Sequence, residues 1–115
     1  MDNILVETIE SYNNYLSILP SGSLKIAELL RENSIVESLN NIQNFTDGVL
    51  WLADAGKLFS KNNIQVDLNV EKIHSYLNEI NEGLTLQDFN LVADLFEYEL
   101  APFFSEVQFV EVSKN

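Results

Sequence analysis

"SIVESLNNIQNFTDGVLWLADAGKLF", residues 34–59, decides the fold. Along it Ile35, Leu39, Ile42, Phe45, Val49, Leu52 and Phe59, with Gly56 on the same line, recur in steps of three and four. Such spacing puts one stripe along one side of an α-helix, where a strand would need strict alternation. The stripe holds for about seven turns. Ser34, followed three residues later by Glu37, has the form of a capping box at its start. Gly48 and Gly56 are both read as projecting onto the stripe, and since glycine costs a helix about 1 kcal/mol relative to alanine, they predict close approach of a neighbouring backbone.

The same period extends outward in both directions. Downstream, Val70, Ile73, Leu77 and Ile80 form a shorter stripe with Gly83 as its expected stop. Thr85 with Asp88 can cap a fourth helix carrying Phe89, Val92, Phe96, Leu100 and Phe103. Upstream, Leu5, Ile9, Tyr12, Leu16 and Leu19 share a face with Ser23, Ile26, Ala27 and Leu30 across Pro20. Two independent helices would have no reason to keep that phase, so one helix over about 3–32, kinked near Pro20, is expected. The alternative is a split at Pro20-Ser21-Gly22-Ser23, because an interior proline is costly. Short loops between amphipathic helices then predict an all-α, antiparallel up-down four-helix bundle with a short third helix. The whole of 1–115 reads as one domain. The tail VQFVEVSKN (107–115) alternates but has no partner strand, and is left irregular.

Composition narrows the function. There is no cysteine, which removes disulfides, thiolate metal sites and cysteine nucleophiles. Eighteen acidic residues against six basic ones give a net charge of -12, a surface that repels phosphate backbones and anionic lipids. Neither a nucleic acid nor a membrane is therefore expected as partner, and the acidic start MDNILVETIE and the short apolar runs point to a cytoplasmic protein. Between Lys72 and Lys114 no Lys or Arg occurs, while Glu79, Glu82, Asp88, Asp94, Glu97, Glu99, Glu106 and Glu111 all do. That C-terminal third is either a solvated face or a dock for a basic protein partner.

The chemistry-bearing candidates are few. At 93–104, ADLFEYELAPFF places Glu99 by projection among Val92, Leu95 and Phe103, where a carboxylate is partly desolvated and needs a donor. Trp51, a tyrosine hydroxyl, Arg31, His74 or a free amide could supply one. Glu99 is then either a structural buckle or a perturbed functional carboxylate. Pro102 removes a hydrogen bond to the Tyr98 carbonyl, so the helix is expected to kink or end there. Glu71 and His74 make one Glu-x-x-His pair; a di-iron bundle needs two, both aimed inward, so no metal and no cofactor is expected. A lone histidine without a serine elbow, and Gly22 without a following Lys-Ser/Thr, offer no triad and no phosphate loop. No catalytic residue is assigned. Trp51 and Leu58, seven apart beside the main stripe, are candidates for a homodimer contact or for a wider core.

Two segments, DGVLWLADA (47–55) and LVADLFEYELAPFF (91–104), resemble a small, functionally uncharacterised family of helical-bundle proteins from Gram-positive bacteria. The matching residues are Gly48, Trp51 and Leu52, then Ala93, Asp94, Leu95, Glu97, Tyr98, Glu99, Leu100 and Pro102. The resemblance implies a bundle and carries no activity with it. The expected function is a non-catalytic interaction module, adaptor or chaperone-like, whose Glu97, Tyr98, Glu99 and Pro102 helix end meets a protein partner. A small-ligand or metal-binding bundle using Glu99, His74 and Tyr98 is the alternative, and an acidic inhibitor that mimics nucleic acid is a third.

Overall fold

The computed structural model describes residues 2–112, and all regular structure among them is helical. Four rods are built in chain order: α1 (Asn3–Arg31), α2 (Ile35–Lys61), α3 (Val70–Thr85), and a last rod made of α4 (Phe89–Asp94), a π-helical segment (Leu95–Leu100) and α5 (Ala101–Glu106). The third is the shortest of the three uninterrupted helices, as its stripe predicts.

Pro20 sits inside α1, which runs without interruption from Asn3 to Arg31, so the split at Pro20–Ser23 does not occur. The reason lies in packing. Ile9, Tyr12, Leu16, Leu19, Ser23, Ile26, Ala27 and Leu30 are all buried, and burial of one continuous stripe outweighs the one hydrogen bond that proline removes from the Leu16 carbonyl. Asp2 starts the helix, its carboxylate accepting from the amides of Ile4 at 2.7 Å and Leu5 at 3.3 Å.

Each of α1, α2 and α3 ends in the same way. The residue after the cap takes a left-handed conformation, Asn33 at φ 60, Asn63 at φ 61 and Gln87 at φ 56. The next amide then reaches back to the helix: Ser34 to the Leu29 carbonyl, Ile64 to Phe59, Asp88 to Gly83. Companion bonds run from Asn33 to Leu30, Asn63 to Ser60 and Gln87 to Leu84, which completes three Schellman motifs. None uses glycine. Gly83, expected as the stop of α3, instead lies within it, and a Cβ there would fall 2.6 Å from Val92 Cγ2. It is a contact point for the last rod, and α3 continues to Thr85.

Two capping expectations are corrected as well. Ser34 makes no side-chain cap; its carbonyl instead accepts both the amide and the hydroxyl of Ser38, the latter at 2.7 Å. Asp88, not Thr85, caps the last rod by accepting from Leu91 at 3.1 Å, while Thr85 donates back to the Asn81 carbonyl. At Gly48 the close neighbour is a side chain and not a backbone: the Tyr15 ring lies where a Cβ would stand. Gly56 faces Val66 Cγ1 at 3.4 Å, in ordinary contact.

The rods enclose an elongated core, 50 × 21 × 20 Å overall. Its middle is aromatic, with Phe45 edge-on to Phe96 at 5.0 Å and to Phe104 at 6.0 Å, and Tyr12 edge-on to Phe59 at 5.3 Å. Two non-helical stretches close one end. Ile64, Val66 and Leu68 pack inward from the α2–α3 connection, and Val110 is buried from the segment after α5. Residues 107–112 carry no regular structure, which agrees with the irregular reading of the tail; its last three residues lie outside the described ones.

Candidate functional site

The last rod changes its winding where the sequence is most acidic. In the segment Leu95–Leu100 the hydrogen bonding widens, and the Ala101 amide reaches the Phe96 carbonyl, five residues back. A wider turn rotates less than 100° per residue. Buried positions then follow one another in steps of four, Val92, Phe96, Leu100 and Phe104, without drifting off the core. At α-helical pitch that series would slide around the rod, and Phe103 would occupy the core in place of Phe104. In the structure Phe104 is 2 % exposed, and Phe103 lies at the edge against Tyr76, ring centroids 5.4 Å apart.

This winding overturns the reading of Glu99. It is exposed, away from Val92 and Leu95, and needs no donor. The carboxylate that finds a cation is Glu97. Arg31, in the last turn of α1, donates from Nη2 to Asp94 Oδ1 at 2.9 Å and to Glu97 Oε1 at 3.0 Å, with Nε at 3.3 Å from the same Glu97 oxygen. Asp94 and Glu97 are three apart on one face, so one guanidinium spans both. The pairing raises the Arg31 pKa further through the hydrogen bonds to Asp94 and then Glu97, and it remains a cation at all ordinary pH. Beside it, the Glu97 carboxylate raises the Tyr98 phenol, which therefore stays protonated. The cluster fixes Arg31 between two carboxylates and holds the last rod against the end of α1.

Pro102 does not end the rod, which continues to Glu106. The π-helical segment immediately before it supplies the physical reason, since a wider turn relieves the clash between a proline ring and the carbonyl four residues back.

Trp51 and Leu58 are 40 % and 46 % exposed on α2, so they do not widen the core. Trp51 packs edge-on against Tyr15 of α1, centroids 6.5 Å apart and planes at 90°. From Tyr15 to Arg31 is about 24 Å along α1, so these residues and the Glu97 cluster form two surfaces and not one. His74 and Glu71 are exposed, and among the described residues no three potential ligands gather to hold a metal ion. Glu99, His74 and Tyr98 therefore do not surround a core cavity.

A model of a protein family described as a domain of unknown function, DUF8042, matches residues 7–109. The chain belongs to that family. No curated protein and no solved structure matches the chain. The match takes in all of the π-helical segment and the Arg31 cluster, together with α2, α3 and most of α1. No helix described in this DUF8042 chain is long and apolar enough to cross a membrane.

A second set of contacts escaped the sequence reading. Asn13 on α1 uses both ends of its amide on one residue 97 positions away: Nδ2 donates to the Val110 carbonyl at 2.9 Å and Oδ1 accepts from the Val110 amide at 2.9 Å. Asp67 Oδ2 accepts from the Gln108 amide at 2.9 Å. Beneath them the Tyr12 hydroxyl is buried with no hydrogen-bond partner, as is Ser23 Oγ further along α1. Burial, with a smaller contribution from Asp67, pushes the Tyr12 phenol up to about 12. Nothing local marks Asn13 in the sequence as different from its neighbour Asn14.

Proposed function

We propose that this DUF8042 chain is a cytoplasmic, non-catalytic protein-interaction module, adaptor or chaperone-like, whose acidic last rod engages a basic protein partner. The observation that carries the reading is the presentation of Tyr98. It is 66 % exposed above the Arg31–Asp94–Glu97 cluster, with exposed Glu99 and Pro102 on the same rod, so an aromatic ring surrounded by carboxylates faces outward from a rigid base. Arg31 is the counter-ion for Asp94 and Glu97, and no Lys or Arg lies in the chain between Lys72 and Lys114 to neutralise Glu99 or Glu106. A tyrosine flanked by acids suits a partner bearing lysine or arginine, through charge and through a cation over the ring.

The proposal treats the chain as one domain, with the rods running up and down in turn and α1 bent at Pro20. Residue pairings in the core support the antiparallel order. Tyr12 meets Phe59 and Tyr15 meets Trp51 across α1 and α2, while Tyr76 meets Phe103 and Gly83 meets Val92 across α3 and the last rod. Self-association through Trp51 and Leu58 belongs to the same proposal as a second contact, and a solution mass equal to one chain would remove it.

The test places a photo-crosslinking amino acid at Tyr98 in cells of the native host. Adducts to one protein rich in Lys or Arg, lost when Glu97 and Glu99 are both changed to Gln, are expected. Adducts that persist in that variant, or none at all, would refute an acid-directed contact.

A further inference from the structure

The end of the bundle opposite the Arg31 cluster holds a groove of about 880 Å³ between two non-helical stretches. One wall is Asn62–Asp67; the other is Gln108, Phe109, Glu111 and Val112. The walls lie side by side yet share no ladder: among the described residues the hydrogen bond across them is the one from the Gln108 amide to the Asp67 carboxylate. Among the described residues the backbone amides and carbonyls of Gln65, Val66, Asp67, Phe109 and Glu111 have no hydrogen-bond partner. Main-chain groups lying in extended chain and lacking partners are what an added strand satisfies.

The orientation of the second wall strengthens this. Asn13 takes both the amide and the carbonyl of Val110 on the α1 side. In extended chain, neighbouring residues turn their amides and carbonyls to opposite sides, so Phe109 and Glu111 present theirs away from α1. Asn13 thus fixes one edge of the segment as a strand partner would, and the other edge meets no partner among the described residues. Val110, 4 % exposed, anchors it in the core. Across the groove Ile64, Val66 and Leu68 alternate inward with outward Gln65 and Asp67, which is also the pattern of extended chain.

Charge selects the occupant. Asp67 and Glu111 line the groove, its other polar side chains are the amides of Asn62, Asn63, Gln65 and Gln108, and among the described residues no basic one lines it. We infer that this groove binds an extended peptide carrying lysine or arginine, held by main-chain hydrogen bonds to groups of Gln65, Val66, Asp67, Phe109 and Glu111 and by the Asp67 and Glu111 carboxylates. The site lies about 27 Å along α1 from Arg31, counted from Asn13, and is independent of the Tyr98 surface.

The experiment titrates the isotope-labelled full chain with three synthetic hexapeptides, followed by amide resonances. The first alternates lysine and valine, the second is the same peptide with alternate amides N-methylated, and the third alternates glutamate and valine. The first is expected to shift the amides of 62–67 and 108–112 at low millimolar concentration, and the other two to bind about tenfold more weakly or less. Asp67→Asn combined with Glu111→Gln should weaken the first peptide and lower its salt dependence, since asparagine can still accept from Gln108. Glu97→Gln with Glu99→Gln should leave it unchanged. Absence of shifts in both walls, indifference to N-methylation, or shifts centred on residues 94–102 would overturn the inference.

Discussion

At the scale of single residues, the three helix ends make the sharpest claims. A left-handed backbone costs an ordinary residue about 1 kcal/mol or more that glycine does not incur. Gln87 bears that cost at φ 56 while exposed to solvent. Gln87→Gly is therefore expected to stabilise the protein by about 1 kcal/mol in urea unfolding. Gly83→Ala should do the reverse, by roughly 1–3 kcal/mol, because its Cβ would press on a Val92 side chain that is wholly buried. Glycine is thus wanted at 87 and needed at 83 for unrelated reasons, one conformational and one steric. The sequence shows a glycine but not which reason applies, and that is why Gly83 reads as a stop.

Tyr12 gives a pH prediction at the same scale. Its phenol titrates near the usual value of 10.0 in the unfolded chain and at about 12 in the folded one. The folded state therefore holds the proton more tightly, and this contribution is fully present below pH 10 and lost as pH rises to 12. The expected loss is about 2 kcal/mol of unfolding free energy over that window. In Tyr12→Phe the loss over that window should be smaller by that amount. The variant should also be no less stable than the wild type at pH 7, since it removes a buried hydroxyl that has no partner. A variant whose alkaline melting matches the wild type would show that another group is responsible.

At the scale of elements, the last rod owes its winding to one extra residue. With buried positions at 92, 96, 100 and 104, deletion of Tyr98 would convert the spacing to four, three, four, which an ordinary α-helix keeps on one face. The deletion variant is expected to stay folded, with helical circular dichroism and a cooperative melt. Deletion of Asn44 in the middle of α2 has no wide turn to absorb it, so it should displace half of that stripe and unfold the bundle. If both deletions behave alike, the π-helical segment does not set the register of the last rod. A second element rests on Asn13. Asn13→Ala removes two part-buried hydrogen bonds and is expected to cost about 1–3 kcal/mol, with faster hydrogen exchange at the Val110 amide.

The whole molecule carries a net charge of -12 on a rod 50 Å long, and the two close ion pairs among the described residues share a single cation, Arg31. Like charges repel across such a surface, and salt screens them within about 10 Å at 0.1 M. The melting temperature is accordingly expected to rise with sodium chloride between low and moderate concentration. A fall would mean that the Arg31 pairs contribute more to stability than the general repulsion removes.

The helical class, the reach of α2, the short α3 and the passage of α1 through Pro20 were all legible in the order of residues. Each depends on the spacing of apolar side chains along one rod, and that is a local property. What the chain order could not reveal is how a residue on one rod meets a residue far away. Glu97 replaces Glu99 as the partnered acid because the rod unwinds there to keep Phe104 in the core. Asn13 differs from Asn14 only in facing Val110, and Gly83 differs from an ordinary stop only in touching Val92. Periodicity sets which face of a helix turns inward; packing between rods sets the rotation of each, and through it which polar groups come together.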